Sequence, residues 1–225
     1  MNGQQPTLLA PTRRALTPTE RRLTQARIKS LKARAHRASA RAVPVTAAVV
    51  SVLWIWTILA SDAPWHTVAA FWITVGGAIA LWVRRDSRGN ASSFQRMTRD
   101  MESALVRSEA DVYDVHARAF AEFEEVEDEG ACYAFELDGN RLLFVTGQEF
   151  YESAKFPSLD FSLVYVLDEQ GQTVEMFIDK RGPKATPART IPSSVKNTLE
   201  IPELLEVRTG TLDDVETLLR SATPR

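Results

Sequence analysis

The feature that most constrains this chain is a long stretch without charge in its first half. Between residues 43 and 83 the only formal charge is Asp62. Residues 43–60 and 65–83 would each span roughly 27 Å as helices, which approaches the hydrocarbon thickness of a bilayer. The alternative is two core helices of a soluble protein, but these segments carry no charge around their whole circumference. The sequence therefore predicts two transmembrane helices, 43–60 and 65–83.

The residues between these two segments suit the tight turn of a helical hairpin. Asp62 is expected to cap the second helix, and Pro64 fits its first turn. Ten Lys and Arg precede residue 43 and three Arg follow between residues 84 and 88, whereas the connecting residues contain none. The positive-inside rule then predicts an integral protein of a bacterial inner membrane with both termini in the cytoplasm.

The formal net charge of −2 hides a strong asymmetry along the chain. Residues 1–42 carry a net charge of +9, and residues 100–225 carry −14. This distribution argues against a single soluble globule, and 44% apolar with 8% aromatic residues argues against a wholly disordered chain. Neither predicted span contains an Asp, Glu, Lys or Arg, so a transporter with a charged path is not indicated.

A basic segment, residues 17–42, precedes the first predicted span and follows an N-terminus, residues 1–16, that is expected to be disordered. Thr17 and Glu20 have the spacing of a capping box, so a helix should begin there. Either this helix lies on anionic headgroups of the inner leaflet, or it is a solvated arm that only fixes the topology. Nucleic acid is a poor fit, because no aromatic residue is interleaved with the bases. The bases that gather on one face are Arg27, Arg34, Arg37 and Arg41.

Small residues recur at four-residue spacing in both predicted spans. The pairs are Ala47 with Ser51 and Gly76 with Ala80. Because small side chains let helix backbones approach closely, we expect these pairs to pack the two helices of one chain together. The alternative is that one of the pairs drives homo-oligomerisation.

A polar linker and helix are predicted over 84–110, followed by an acidic cytoplasmic domain over 111–225. Ser92 and Gln95 have capping-box spacing, so the helix is expected to begin there. Residues 112–126 fit either a strand or a helix. A strand is preferred, because a helix continuing from Ser92 would be unusually long for a small domain.

Two hairpins and a last strand follow in the acidic domain, and Asp138-Gly139 is a strong turn signal between the first two strands. Thr211 is expected to open a terminal helix. The predicted fold class is therefore a membrane protein with a two-helix transmembrane hairpin and a small cytoplasmic α+β domain of five or six mostly antiparallel strands, with a helix at each end. The clearest predicted strands are 131–137, 141–146, 161–167, 173–179 and 204–208.

Six acids within eight residues form the most concentrated polar feature of the chain. They lack the alternation and the central glycine of an EF-hand calcium loop. A solvated acidic edge is one reading, and electrostatic contact with a basic protein partner or with the chain's own basic segment is another. The acids are Glu122, Glu124, Glu125, Glu127, Asp128 and Glu129.

A candidate binding loop follows one of the predicted strands. Gln148, Glu149, Phe150 and Tyr151 combine polar groups with two aromatic rings at a strand exit. The alternative is an ordinary exit from the sheet.

The chemistry of a recognisable enzyme is sparse in this sequence. Cys132 is the only cysteine, which fits a reducing compartment, and pairing it with His116 as a nucleophile lacks support from spacing. The three histidines lie in segments that do not converge as a zinc site, and no glycine-rich phosphate loop occurs. No catalytic residue, metal or cofactor is predicted.

The sequence therefore predicts a membrane-anchored cytoplasmic interaction or regulatory module. Its expected partners are the lipid bilayer, anionic headgroups and a protein of unknown identity. Two alternatives stay open: a membrane-tethered enzyme whose site lies on the loops of the cytoplasmic domain, and a homo-oligomeric membrane element.

Overall fold

The structure is a computed structural model that describes residues 7–60 and 64–220 of the chain. Within the helices, the side chains of residues 37–46, 84, 87, 88, 90 and 91 lie outside this description. The expected cap at Asp62 and the first six residues of the N-terminus also lie outside the described residues.

Two helices of 43 residues each account for much of the chain, α1 at Pro18–Ala60 and α2 at Trp65–Arg107. The predicted capping box opens α1. The Thr17 amide donates to Glu20 Oε2 at 2.7 Å, and the Glu20 amide donates to Thr17 Oγ1 at 3.3 Å. Both backbone donors are satisfied by this reciprocal pair, which fixes where α1 begins.

The predicted start of a separate helix at Ser92 is wrong, because α2 runs through this position without a break. The Ser92 and Ser93 hydroxyls donate to the carbonyl of Gly89 at 2.7 and 3.3 Å. Serine side chains in a helix interior commonly bond back to the preceding turn in this way. Capping-box spacing therefore occurs here without a helix end.

The polar halves of α1 and α2 are held together by a small apolar cluster. Ile28, Leu31 and Met101 are buried in it, and Phe94 and Leu105 pack against them. Farther along the pair, Trp72 Nε1 donates to Thr57 Oγ1 at 3.2 Å. A Cβ added at Gly76 would lie 3.0 Å from Val50 Cγ1, so the expected close approach of the helices occurs at this glycine.

Nine strands form one sheet in the order β1-β9-β5-β4-β3-β6-β7, with β2 and β8 each pairing to β3. The β3–β8 pair is parallel, and the pairs β1–β9, β3–β4, β4–β5 and β5–β9 are antiparallel. The strands are β1 Thr7–Leu8, β2 Thr12–Ala15, β3 Glu109–Phe123, β4 Ala131–Leu137, β5 Arg141–Gly147, β6 Asp160–Leu167, β7 Thr173–Lys180, β8 Arg189–Ile191 and β9 Glu206–Thr209. A 3-10 helix at Gln148–Phe150 and two short helices, α3 at Ser193–Lys196 and α4 at Val215–Arg220, complete the elements.

Several strand predictions are confirmed by this sheet. The ambiguous segment 112–126 is the strand β3, and both predicted hairpins are present as β4–β5 and β6–β7. The turn between β4 and β5 has three residues rather than two, since Leu137 pairs with Arg141. Gly139 and Asn140 both have positive φ there, at 76° and 54°. Both residue types tolerate that left-handed region, which explains the composition of the turn.

The core consists of two apolar clusters. One is rich in aromatic rings, and Phe120, Phe135 and Phe161 in it are fully buried. The other joins Phe144 and other strand residues to Val215 of α4. Fully buried aromatic side chains contribute more apolar area to a core than any other residue type, so these strands can form a stable sheet.

The chain divides into two compact units. One contains the described residues of Met1–Ala15, Ala110–Tyr165 and Met176–Arg225, and the other contains Leu16–Glu109 and Val166–Glu175. Arg107 Nη1 of α2 donates to the carbonyls of Asp168 and Glu169 at 3.0 Å each. The tip of the β6–β7 hairpin is thereby tied to the helical unit.

The predicted fold class, a two-helix transmembrane hairpin over 43–60 and 65–83 with a small α+β domain, is wrong. The sheet has nine strands rather than five or six, and each helix extends far beyond the predicted span. Among the described residues, only Trp65–Val83 is long and apolar enough to cross a membrane, with a mean hydropathy of 1.6. The apolar part of α1 that the structure describes, Ala47–Ala60, is shorter. A two-span membrane hairpin is therefore not supported.

Candidate functional site

The acidic segment identified in the sequence lies in the connection from β3 to β4. Glu127 and Asp128 have positive φ, at 47° and 57°, and Gly130 has φ 92°. A Cβ at Gly130 would lie 2.6 Å from the Gln148 amide nitrogen and 2.6 Å from the Gly147 carbonyl carbon. The turn therefore packs directly on the backbone where β5 ends, and only glycine fits that contact.

The candidate binding loop meets this turn. Gln148 Nε2 donates to the Asp128 carbonyl at 3.0 Å, and the Tyr151 hydroxyl donates to Glu125 Oε1 at 2.5 Å. Phe150 points away, since it is fully buried in the aromatic core. Two segments that the sequence analysis treated separately thus form one surface. We call it the acidic face, and it consists of Glu125, Glu127, Asp128, Gln148, Glu149 and Tyr151.

Two of the six clustered acids, Glu124 and Glu129, contribute to the local structure instead, and Glu122 is half-buried. Glu124 Oε2 accepts the amide of Ser193 at 3.0 Å, and Glu129 Oε2 lies 3.0 Å from Lys196 Nζ. Lys196 is 5% exposed, so its ammonium group needs that partner. Burial raises the pKa of the half-buried Glu122 carboxyl, and the nearby Glu152 raises it further.

The acidic face has an uncompensated negative charge. Glu125, Glu127, Asp128 and Glu149 form no salt bridge within the part of the chain that the structure describes. The hydrogen bond to Glu125 raises the pKa of the Tyr151 hydroxyl above its ordinary value. Neighbouring carboxylates on an exposed turn and loop are suited to contact with a basic surface.

A second polar cluster, which the sequence analysis missed, lies on β3, β6 and the residue after β7. Arg181 donates through Nε to Asp160 Oδ1 at 2.9 Å and lies within 3.1 Å of Asp114 Oδ1 through Nη1. Ser162 Oγ donates to Asp114 at 2.7 Å, and this bond, together with Arg181, lowers the pKa of that carboxyl. His116 Nδ1 lies 3.2 Å from Asp160 Oδ1. One guanidinium is therefore shared between two carboxylates on neighbouring strands.

The conceivable Cys132–His116 nucleophile pair does not form. Cys132 pairs with Phe123 across β3 and β4, and His116 lies seven residues from Phe123, roughly 23 Å along the strand. Cys132 is 3% exposed, and burial raises the pKa of its thiol to about 12. Among the described residues, no group of three His, Cys, Asp or Glu side chains is arranged to hold a metal ion.

The basic face of the first helix is partly engaged in ion pairs. Arg27 Nε lies 3.7 Å from Glu175 Oε2, and Arg34 is exposed. The side chains of Arg37 and Arg41 lie outside the description. On another face of this helix, Ile28 and Leu31 are buried in a cluster with Met101 of α2 rather than exposed to lipid.

Large apolar side chains are exposed on the remaining halves of the two helices. Leu59 is 81% exposed, Ile73 76% and Trp65 74%. Only 6% of the Trp65–Val83 segment is buried. We call this set the apolar surface, and its members are Val49, Val52, Leu53, Trp54, Ile55, Trp56, Ile58, Leu59, Trp65, Phe71, Ile73, Leu81 and Trp82.

No family model matches the chain, and no curated protein or solved structure matches it either. The chemistry of the acidic face and of the apolar surface therefore carries the functional argument.

Proposed function

We propose that this protein is an interaction or regulatory module that a lipid bilayer holds through its apolar surface. Its acidic face then binds a basic segment of a protein partner on the cytoplasmic side. The proposal does not require the two spans of the rejected hairpin. It requires only that the exposed apolar side chains be covered by lipid.

The exposure of the apolar surface is the observation that carries this proposal. Soluble monomers seldom expose contiguous apolar patches above a few hundred Å². At 100° per residue, Trp65, Ile73, Leu81 and Phe71 point to four different sides of α2, about 80° apart. A protein partner of fixed shape would cover one side of a helix. Fluid lipid covers all of them, so a bilayer is the better occupant.

Charge around the apolar segment supports the same assignment. Residues 64–83 contain no Lys or Arg, and three Arg follow between residues 84 and 88. Positive residues favour the cytoplasmic end of a membrane segment. Trp65 and Trp82 stand about 26 Å apart along the helix axis, a separation that suits rings at two membrane interfaces. On this assignment the sheet strands that follow the basic end of α2 lie in the cytoplasm.

The acidic face supports the interaction part of the proposal. The backbone of the turn that carries Glu125, Glu127 and Asp128 contacts the end of β5 at Gly130, so this backbone needs little ordering when a partner binds. Preordered groups lose less entropy on binding than mobile ones. We assign a basic, extended protein segment as the partner, because four unpaired carboxylates would have to be neutralised.

The experiment compares two aspartate substitutions on the same helix in the full-length chain. Ile73→Asp puts a charge in the apolar surface, where Ile73 is 76% exposed, and Val106→Asp puts one at an equally exposed position outside it, at 78%. An acidic residue at the centre of a membrane helix costs about 3 kcal/mol, which is roughly a hundredfold in partition. We expect Ile73→Asp to shift the protein from the carbonate-washed membrane fraction to the soluble fraction, and Val106→Asp to leave it in the membrane.

Two results would contradict the proposal. One is that the unmodified chain is recovered in the soluble fraction, and the other is that both variants partition alike. A circular dichroism spectrum of each variant, compared with the unmodified chain, separates a partition effect from a loss of helix.

A further inference from the structure

A cleft opens between the polar halves of α1 and α2, within the helical unit. Its volume is about 330 Å³, which falls within the range of small-molecule sites. Its walls come from both helices, and the residues of α2 among them follow the spacing of one helix face. The lining residues are Lys32 and Ala35 of α1 and Phe94, Gln95, Thr98 and Arg99 of α2.

The cleft lies in a basic part of the helical unit. Arg99 is exposed and forms no salt bridge within the part of the chain that the structure describes. Lys32 Nζ lies 2.7 Å from Glu102 Oε1, but the two side chains are 60% and 48% exposed, and such exposed pairs contribute little stability. Residues 27–36 and 94–102 together contain six Lys and Arg against two acids. An anion in the cleft would therefore be attracted by Arg99 and could replace Glu102 at Lys32.

The cleft also has an apolar wall. Phe94 is half-buried, since it packs against the cluster around Met101 and also lines the cleft. The Thr98 hydroxyl already donates to the Phe94 carbonyl at 2.8 Å, whereas Gln95 is exposed and brings an amide to the cleft. An aromatic side chain favours contact with another flat ring. Phe94 and Arg99 differ by about 7.5 Å along the helix axis, so a ligand that contacts both must carry its ring and its charge at different levels.

The position of the cleft argues against a bilayer phospholipid as the ligand, a step that rests on the proposed membrane contact. Along the helix axis, Phe94 lies roughly 16 Å and Arg99 roughly 24 Å past Val83, where the apolar segment ends. Even a tilt of about 40° leaves Phe94 roughly 12 Å from that level. The headgroup layer extends only roughly 5–8 Å beyond the hydrocarbon. A soluble ligand is therefore the better occupant.

We propose that this cleft binds a soluble phosphate ester that carries a flat ring, of the size and kind of a nucleoside monophosphate. The phosphate contacts Arg99 and Lys32, and the ring packs against Phe94. A guanidinium offers two parallel donors to phosphate oxygens, and an ammonium adds a point charge. The ring supplies the apolar contact that inorganic phosphate lacks, and the phosphate supplies the charge that a nucleoside lacks.

Isothermal calorimetry of the purified full-length chain in an uncharged detergent tests this site with three probes: adenosine monophosphate, adenosine and inorganic phosphate. We expect adenosine monophosphate to bind at least tenfold more tightly than either of the others. Arg99→Gln should weaken its binding at least tenfold, and Phe94→Leu should weaken its binding but not that of inorganic phosphate. The matched control is Arg96→Gln, which removes the same charge from an exposed arginine one turn away that does not line the cleft, and it should bind like the unmodified chain.

Four results would overturn the proposal. Adenosine monophosphate does not bind at about 1 mM, inorganic phosphate binds as tightly as adenosine monophosphate, or Arg99→Gln and Arg96→Gln weaken binding equally. The fourth is that a soluble short-chain phosphatidic acid binds more tightly than adenosine monophosphate and depends on Arg99, which would assign the cleft to lipid. The comparison of probes needs no variant, so it holds even where a substitution disturbs the helices. Membrane partition of Ile73→Asp is measured separately, so failure of this site and failure of the proposed membrane contact are distinguishable.

Discussion

Gly130 links the acidic turn to the end of β5, and its substitution offers a quantitative test of whether the acidic face is rigid. Gly130 and Gly139 both have positive φ, at 92° and 76°. Alanine at either position pays roughly 1–2 kcal/mol for the left-handed backbone. At Gly139 a Cβ meets nothing within 4 Å, whereas at Gly130 it would lie 2.6 Å from the backbone of Gly147 and Gln148.

The difference between the two alanine variants isolates that contact. Replacing glycine also restricts the unfolded chain, but this effect is the same at both positions and cancels in the comparison. Crowding against atoms that cannot move aside costs about 2 kcal/mol, which is roughly thirtyfold in an equilibrium constant. We therefore expect Gly130→Ala to destabilise the sheet by about 3 kcal/mol and Gly139→Ala by about 1 kcal/mol.

Amide hydrogen exchange is the suitable measurement, because all five Trp lie between residues 54 and 82 and their fluorescence does not report on the strands. Exchange of the amides in β4 and β5 should be about thirtyfold faster in Gly130→Ala than in Gly139→Ala. Equal exchange in the two variants would refute the reasoning, since the turn would then move away from Gly147 at no cost. The acidic face would in that case not be preordered.

Two further predictions concern charge. Glu122→Gln should raise the thermal midpoint of unfolding at pH 7.5, because the folded-state pKa of Glu122 lies above its unfolded value and folding therefore disfavours the charged carboxyl. Below the ordinary glutamate pKa the carboxyl is protonated in both states, so the gain should disappear. Circular dichroism melts in which the variant differs equally from the unmodified chain at both pH values would contradict this prediction. Glu127→Gln with Asp128→Asn should weaken binding of a lysine-rich peptide several-fold at low salt and little at high salt, measured by fluorescence anisotropy. The charge-matched control Glu200→Gln with Asp213→Asn should bind like the unmodified chain, and equal weakening by both pairs would show that net charge alone acts.

Local sequence patterns predicted those elements whose contacts are near in the chain. The capping box at Thr17 and Glu20 and the hairpin around Gly139 are formed by residues within a few positions of each other. β1, β2 and β8 were missed because each has only two to four residues and pairs with a strand far along the chain. Such short segments have too few alternating positions to register as strands.

The candidate functional residues also divide into those that local patterns predicted and those that depend on contacts between distant parts of the chain. The acidic residues and the loop after β5 were recognised from the sequence as separate patterns. That they form one surface depends on the turn at Gly130 folding back onto Gln148. The Arg181 network depends on which strands are neighbours, and pairing between β3 and β6 has no signature in either segment. Whether the acidic face and the apolar surface act as binding sites stays a prediction.

The two populations of apolar residues in this chain differ in a way that bears on the proposed membrane contact. Phe120 and Phe135 in the strands are fully buried, whereas Ile73 and Leu59 in the helices are more than three-quarters exposed. In water, burial of apolar area contributes roughly 25 cal/mol per Å². The same free-energy gain per unit area that favours burial of the strand aromatics would also favour burial of the apolar side chains of the helices. The polar halves of α1 and α2 pack around Met101, and the apolar halves contact each other at Gly76 and Val50 and at Trp72 and Thr57. Selective exposure of the most apolar segment, beside a well-filled core, is therefore consistent with an external apolar phase rather than with poor folding.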